Sequence, residues 1–377
     1  MPEWLADPPW LLAVVYVLGG LWGLARGGDL LVDGSVSIAR KAGLSPAVIG
    51  ATIIAFGTSA PELVVSISAA LTAREQAAGG AVDPNGPIAI VLANVVGSNI
   101  CNIGLILGIT LIVAVTRIPA STRRLDLPAL MLATIGMIAA AWPLGAANPI
   151  ITRIEALLLV VGLFAYVIIA IRKGRTGVDA TTEITAGDEA AGEAARTSAA
   201  GWLRIASGLG LLLVAGKICL VGAVSLAHII GLSERVIGLT VVAIGTSLPE
   251  FFASLQAARK GHTEIAIANV IGSNLFNILC VLGVTALIVP LPVNTGTLNI
   301  DLWWMCAFLF AIVPGILLCQ TIGRKHGVVL ILGFCAYTAF LLITAASDVL
   351  AAPDQDDKTE ISAPLIPVPS APAPPLK

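Results

Sequence analysis

Charge is what this chain has least of. Only 12% of its 377 residues are Asp, Glu, Lys or Arg, against 57% hydrophobic, and the mean hydropathy is +0.95. Soluble domains carry about 25% charged residues, so an ordinary soluble domain is excluded. A net charge of −2 leaves no basic footprint for nucleic acid. Cysteines are few: Cys101, Cys219, Cys280, Cys306, Cys319 and Cys335 lie singly in apolar runs with no CxxC pair, and each reads as small apolar filler. His228, His262 and His326 fall at expected span ends and match no zinc spacing. The opening MPEWLADPPW is acidic rather than basic, unlike a cleaved signal peptide.

Apolar runs fill the chain instead. A bilayer core of about 30 Å takes about 20 helical residues to cross. The pattern predicts an all-α polytopic membrane protein with ten spans, near 10–40, 44–73, 88–113, 126–142, 151–171, 203–230, 234–258, 264–289, 302–321 and 326–348. They divide the chain into a first five-helix unit (1–172), a polar, small-residue linker (173–201), a second five-helix unit (202–349) and a Pro-rich tail (350–377) expected to be disordered. Every second loop is basic: Arg40/Lys41, Arg117/Arg123/Arg124, Arg172/Lys173/Arg175, Arg259/Lys260 and Arg324/Lys325. The alternate loops hold little beyond Arg74, Arg153 and Arg235. The positive-inside rule then places the linker in the cytoplasm and both termini outside, in a multi-pass protein of the cell's inner (plasma) membrane.

The chain repeats. GLSPAVIGATIIAFGTSAPE from Gly43 matches GLSERVIGLTVVAIGTSLPE from Gly231, an offset of 188. IAIVLANVVGSNICNIGLILG from Ile88 matches EIAIANVIGSNLFNILCVLG from Glu264, an offset of 175, because the first half carries about 13 extra residues around AAGGAVDPNGP. Five spans per half make the second copy enter the membrane from the opposite side, an inverted-topology repeat whose shared site is expected at the midplane.

Each GTS-x-PE motif puts a carboxylate, Glu62 or Glu250, inside a span, where a charge costs about 2.5–3.5 kcal/mol on insertion scales. Ser59 and Glu62 have capping-box spacing, and Pro61 suits a helix start. A glutamine would cap as well without the charge, so capping alone does not account for the glutamates. The functional reading is a broken helix around a hard cation. Ala55 and Ala243 offer carbonyls. Thr58, Ser59 and Glu62 supply oxygens from one half and Thr246, Ser247 and Glu250 from the other. Ca²⁺ takes six to eight such oxygens, whereas zinc and copper favour the His and Cys ligands missing here. Without a cation the two carboxylates repel and one tends to take up a proton, so H⁺ is a competing ion. In GSN-x-x-N, Ser98 and Asn102 share a helix face, as do Ser273 and Asn277, and Gly97 and Gly272 allow close backbone approach. Interhelical hydrogen bonding is the plainer role for Asn94, Asn99, Asn269 and Asn274.

These paired motifs resemble the cation/Ca²⁺ exchanger superfamily, specifically its prokaryotic Na⁺/Ca²⁺ exchanger-like members, over about residues 10–349. The resemblance implies ten spans in inverted repeats and alternating access, with Ca²⁺ exchanged for Na⁺. It implies the ligands Ala55, Thr58, Ser59, Glu62, Ser98, Asn102, Ala243, Thr246, Ser247, Glu250, Ser273 and Asn277, the two glutamates holding Ca²⁺ and the others completing Na⁺ sites. It implies no cofactor, no catalytic residue and no enzyme activity. Its partners are the transported Ca²⁺ and Na⁺ (or H⁺) and the lipid bilayer. Asn277, which is Asp in the K⁺-dependent branch, argues against K⁺ co-transport, and Val221 stands where the family often has an acid. An H⁺/Ca²⁺ antiporter of the same fold is the nearest alternative. A cation channel needs no inverted broken helices, and an intramembrane protease lacks HExxH or an evident nucleophile here. Asp29 and Lys217 occupy repeat-equivalent positions with opposite charge, which raises a contact between the first and sixth spans; the plainer reading of Asp29, Asp33 and Lys217 is a water-facing location.

Overall fold

The computed structural model describes residues 8–78, 88–142, 150–176, 198–232, 237–293, 300–318 and 321–351. Most of the linker and nearly all of the tail lie outside these residues. Among the described residues seven helices are long and apolar enough to cross a membrane, and two bent pairs would each make one more. Helix α1 is Trp10–Ala42. The first bent pair is α2 (Pro46–Thr58) and α3 (Ala60–Ala78). Helices α4 (Ala89–Cys101) and α5 (Gly108–Val113) are joined by π-helical Asn102–Leu107. Strand β1 (Thr116–Arg117) leads through π-helical Thr122–Asp126 to α6 (Leu127–Ala141), β2 (Ile150–Ile151) and α7 (Arg153–Thr176).

The second half follows the same order. It holds α8 (Ser198–Ile229), the bent pair α9 (Thr240–Thr246) and α10 (Leu248–Arg259), and α11 (Thr263–Phe276) joined by π-helical Asn277–Leu282 to α12 (Gly283–Ile288). Strand β3 (Leu291–Pro292), the shorter apolar helix α13 (Leu302–Leu318), β4 (Thr321–Ile322) and α14 (Arg324–Ala351) complete it.

Both sequence offsets recur in the backbone. The π-helical turn Gly50–Ile54 has its counterpart 188 residues on at Gly238–Val242, and Asn102–Leu107 has its own 175 residues on at Asn277–Leu282. Gly43 and Gly231, each in a GLS triplet, take φ of 62° and 80° and end α1 and α8 identically. The N–H after each glycine returns to Ala39 O (2.9 Å) or Ala227 O (3.0 Å), the closing bond of a Schellman motif.

Contacts between the halves are reciprocal. Strand β1 pairs with β4 and β2 with β3, all antiparallel. Arg153, opening α7, donates to Leu287 O (3.2 Å) and Ile288 O (3.3 Å) in the last turn of α12. Arg324, opening α14, donates to Ile112 O (3.2 Å) in the last turn of α5. A guanidinium at a helix C-terminus satisfies carbonyls that have no N–H of their own and suits the negative end of the dipole.

Helices α1 and α8 run antiparallel in close contact. Glycines permit it: a Cβ on Gly20 would stand 2.6 Å from Cys219 Cβ, and one on Gly27 would stand 2.9 Å from Leu212 N. This register ends the expectation that Asp29 meets Lys217. The equivalent residues that face each other are near Ala25 and Leu213, so Asp29 and Lys217 lie on opposite sides of that point, about seven residues or 10 Å apart along the axes. Asp29 instead pairs with Lys260 at the end of α10 (3.2 Å), which also binds Asp33 (2.8 Å). Lys217 is exposed on α8. The water-facing reading of Asp29 and Asp33 fits these part-exposed ion pairs.

Candidate cation site

The two GTS-x-PE motifs are the corners of the bent pairs. The bend is 43° between α2 and α3 and 55° between α9 and α10. Ser59 (φ −82°, ψ 6°) and Ser247 (φ −89°, ψ 7°) sit at the corners outside regular helix, and the proline two residues later opens the next helix. Neither serine side chain caps that helix, as the capping-box spacing predicted. The Ser59 hydroxyl donates across the halves to Glu250 Oε1 at 3.0 Å; with ψ near 6–7°, both serines lack the extended backbone from which an N-cap side chain accepts the N2 or N3 N–H.

The freed carbonyl also differs from expectation. Ala55 O still accepts from Ser59 N–H (3.1 Å) and Thr58 Oγ1 (3.4 Å). The carbonyls left without an N–H four residues on are those of Gly57 and Gly245, which face Pro61 and Pro249. On the other side, Ser247 N–H reaches Ile244 O at 3.1 Å. Ala243 lies in the last turns of α9, and Thr246 is half-buried there.

Apart from half-buried Thr246, the polar side chains of both motifs are buried in the interior. Glu62 is 2% exposed and Glu250 1%, and the two carboxylates lie near enough to repel each other. Thr58, Ser59, Ser98, Asn102, Ser247, Ser273 and Asn277 are all buried. Six oxygens of the predicted set have no hydrogen-bond partner: Glu62 Oε2, Glu250 Oε2, Ser247 Oγ, Ser273 Oγ, Asn102 Oδ1 and Asn277 Oδ1. A buried unpaired polar group costs about 1–3 kcal/mol, and more when charged, so six together describe a place prepared for something that accepts oxygen lone pairs. Among the described residues no group of three or more His, Cys, Asp or Glu occurs, so a cation here must be completed by neutral oxygens.

The asparagines form a reciprocal set. Asn102 Nδ2 donates to Asn274 Oδ1 (3.1 Å) and Asn277 Nδ2 to Asn99 Oδ1 (3.0 Å), while Asn99 Nδ2 reaches Asn274 O (3.4 Å). Asn102 and Asn277 each begin a π-helical turn, a local widening of the helix frequent at functional sites. Asn269 fills the structural role expected of it, donating to Ser254 Oγ (2.9 Å) and Glu250 O (3.5 Å) and so fastening α11 to α10.

The two glycines of GSN-x-x-N part company. A Cβ on Gly272 would stand 2.6 Å from Ala51 O and 2.8 Å from Ala55 Cβ, so α11 lies against α2 as predicted. Among the described side chains, a Cβ on Gly97 would meet nothing within 4 Å. The halves are alike in sequence but packed differently. A cleft of about 280 Å³ opens between α8 and α9, lined by Ala223, Ile244 and Gly245 among others, while Ser35, the counterpart of Ala223, is fully buried.

Sequence reading missed two paired groups. Tyr166 donates to Asp126 Oδ1 (3.1 Å), and Tyr337 to Asp301 Oδ1 (3.2 Å). The Asp-Leu dipeptides at 126 and 301 keep the 175-residue offset and were the available signal. Cys101, read as filler, neighbours Ser247, Glu62 and Glu250.

The family model described as sodium/calcium exchanger protein matches residues 12–172 and 200–343. The putative antiporter CaxA of Alkalimonas amylolytica is 35% identical over 335 residues, covering 88% of this chain and 99% of its own. The inner membrane protein YrbG of Escherichia coli is 33% identical over 340 residues, covering 88% and 97%. The solved sodium/calcium exchanger from Methanococcus jannaschii superposes with a TM-score of 0.68 at 28% identity, over 90% of this chain and 99% of that one. With its cross-linked halves and its cluster of unpaired oxygens around two buried glutamates, this chain belongs to the sodium/calcium exchanger family of multi-pass membrane proteins.

Proposed function

We propose that the chain is a secondary antiporter that exchanges Ca²⁺ for Na⁺ by alternating access, not an enzyme. The six unpaired buried oxygens around Glu62 and Glu250 carry this reading. Ca²⁺ is the cargo, held by both carboxylates. Thr58, Ser59, Ser98, Asn102, Thr246, Ser247, Ser273 and Asn277 complete sites for Na⁺, with the carbonyls of Ala55 and Ala243. Ala55 O takes part when the long bond from Thr58 Oγ1 gives way. Two negative charges match one Ca²⁺, and the surplus of neutral oxygens exceeds what an exchange of protons for Ca²⁺ requires.

Counting α13 as a span gives ten, five in each inverted half. The family and the relative named an inner membrane protein support the inner membrane as its place. By the positive-inside rule α9 starts at the outer face, which puts the apolar cleft between α8 and α9 on the outer side and the close packing of α2 against α11 on the inner side. Exchange of these two arrangements between the halves would carry the cation across.

The test is Ca²⁺ uptake into proteoliposomes. At clamped pH, an outward Na⁺ gradient should drive uptake. Uptake driven only by a pH gradient would assign the H⁺/Ca²⁺ alternative, whose physical basis is that a proton can also neutralise one of two facing carboxylates.

A further inference from the structure

We propose that Asn99 and Asn274, neither of them a cation ligand, are positioning residues that fix which end of the Asn102 and Asn277 amides faces the cation. The inference rests on the reading of Asn102 and Asn277 as ligands.

A neutral side-chain amide presents an oxygen on one side and an NH₂ on the other. Turned the wrong way it would point two N–H groups at a cation. Asn102 and Asn277 are 1% exposed, so no solvent corrects the orientation. Each is instead held across the interface by the other half. Asn102 Nδ2 gives its proton to Asn274 Oδ1 at 3.1 Å, and Asn277 Nδ2 to Asn99 Oδ1 at 3.0 Å. Both ligand oxygens are then left buried and unpaired.

Two facing amides can make one N–H···O bond in either sense, but only this sense leaves the Oδ1 of Asn102 free. Asn99 is further pinned, because its own Nδ2 reaches Asn274 O at 3.4 Å and Met305 Sδ at 3.9 Å. Asn274 and its neighbours are wholly buried on α11, where Gly272 lets the helix lie against α2. Each half therefore orients the ligand of the other, and the cation affinity of each depends on both.

Asn274 gives a clean test because its Nδ2 has no partner. Asn274→Asp keeps an acceptor and loses no hydrogen bond, but it adds a carboxyl group inside the span. Asn274→Leu keeps the size and removes the acceptor. The full chain in proteoliposomes is assayed for Ca²⁺ uptake driven by Na⁺, reading the half-saturating Ca²⁺ and Na⁺ separately from the maximal rate, with monodispersity in detergent as the folding control. Asn274→Leu should raise a half-saturating concentration by about tenfold or more, the usual effect of removing a group that orients a metal ligand. Asn274→Asp, which keeps the acceptor and adds negative rather than positive character, should not raise it. Asn102→Leu plus Asn274→Leu should be no worse than Asn102→Leu alone. Asn99→Leu and Asn99→Asp repeat the comparison through Asn277 and serve if Asn274→Leu does not fold. Equal behaviour of the Leu and Asp variants, or unchanged ion dependence in Asn274→Leu while Asn102→Leu is impaired, overturns the positioning role alone. Unchanged ion dependence in Asn102→Leu overturns the ligand reading and this proposal with it.

Discussion

Adding one methyl group at Gly272 and one at Gly97 should push the transporter in opposite directions. At Gly272 the new Cβ would stand 2.6 Å from Ala51 O, 2.7 Å from Ala51 Cα and 2.8 Å from Ala55 Cβ. Two of these are backbone atoms and the third is a Cβ fixed to one, so no side-chain rotation relieves the overlap and α11 must draw back from α2. Overpacking of this kind costs about 1–3 kcal/mol. Gly272→Ala charges that cost to the arrangement seen here, in which α2 and α11 are closed. At Gly97 nothing among the described side chains lies within 4 Å, so the same methyl meets no described neighbour here. If the halves exchange packing during transport, Gly97 is the tight position of the opposite state, and Gly97→Ala penalises that state by a similar amount. A difference of about 1–3 kcal/mol moves an equilibrium about 5–150-fold. The reporters are Ala223→Cys, which lines the open cleft, and Ser35→Cys, its fully buried counterpart, in a cysteine-free background. Gly272→Ala should slow thiol labelling at 223 and speed it at 35. Gly97→Ala should do the reverse, and both should slow transport. Movement of both reporters in the same direction, or full transport and unchanged labelling in Gly272→Ala, would refute the exchange of packing.

Other expectations follow from the same geometry. Glu62→Gln and Glu250→Gln keep the side-chain size, and Gln at 250 can still accept from Ser59, so both variants should fold and lose Ca²⁺ transport; near-normal ⁴⁵Ca²⁺ uptake by either would remove that residue from the site. Arg153→Met and Arg324→Met each uncover carbonyls at the end of a helix of the other half, and each should cost about 0.3–1 kcal/mol in thermal unfolding, with additive losses in the double variant. An impermeant thiol reagent applied to intact cells should label Gln355→Cys and spare Asp188→Cys, since the basic loops place the linker inside; the reverse pattern would invert the topology.

Much of the site could be read from the sequence because it is written twice. The offsets of 188 and 175 mark both broken helices and both GSN-x-x-N motifs, though not the π-helical turns that Asn102 and Asn277 begin. A repeat, however, describes the average of two halves, and the structure differs from that average. Gly97 and Gly272 are equivalent in sequence, and only one is packed. Ser59 bonds Glu250, while Ser247 leaves its hydroxyl unpaired. No linear spacing encodes such a difference, because it belongs to one conformational state. The capping box is absent for a local reason: residue spacing does not reveal that Ser59 and Ser247 take ψ near 6–7° at the corner instead of the extended N-cap conformation. Equivalence by symmetry implies proximity only at the crossing point near Ala25 and Leu213, so the Asp29–Lys217 contact that the repeat raises does not form and Asp29 pairs with Lys260.

The central claim is that one Ca²⁺ is shared between Glu62 and Glu250, and a crystal structure grown in Ca²⁺ with anomalous data tests it most directly. A single strong anomalous peak should appear about 2.3–2.6 Å from a carboxylate oxygen of each glutamate, with Ser and Asn oxygens completing the shell. A Ca²⁺ peak held by neither glutamate, in protein that transports normally, would contradict it.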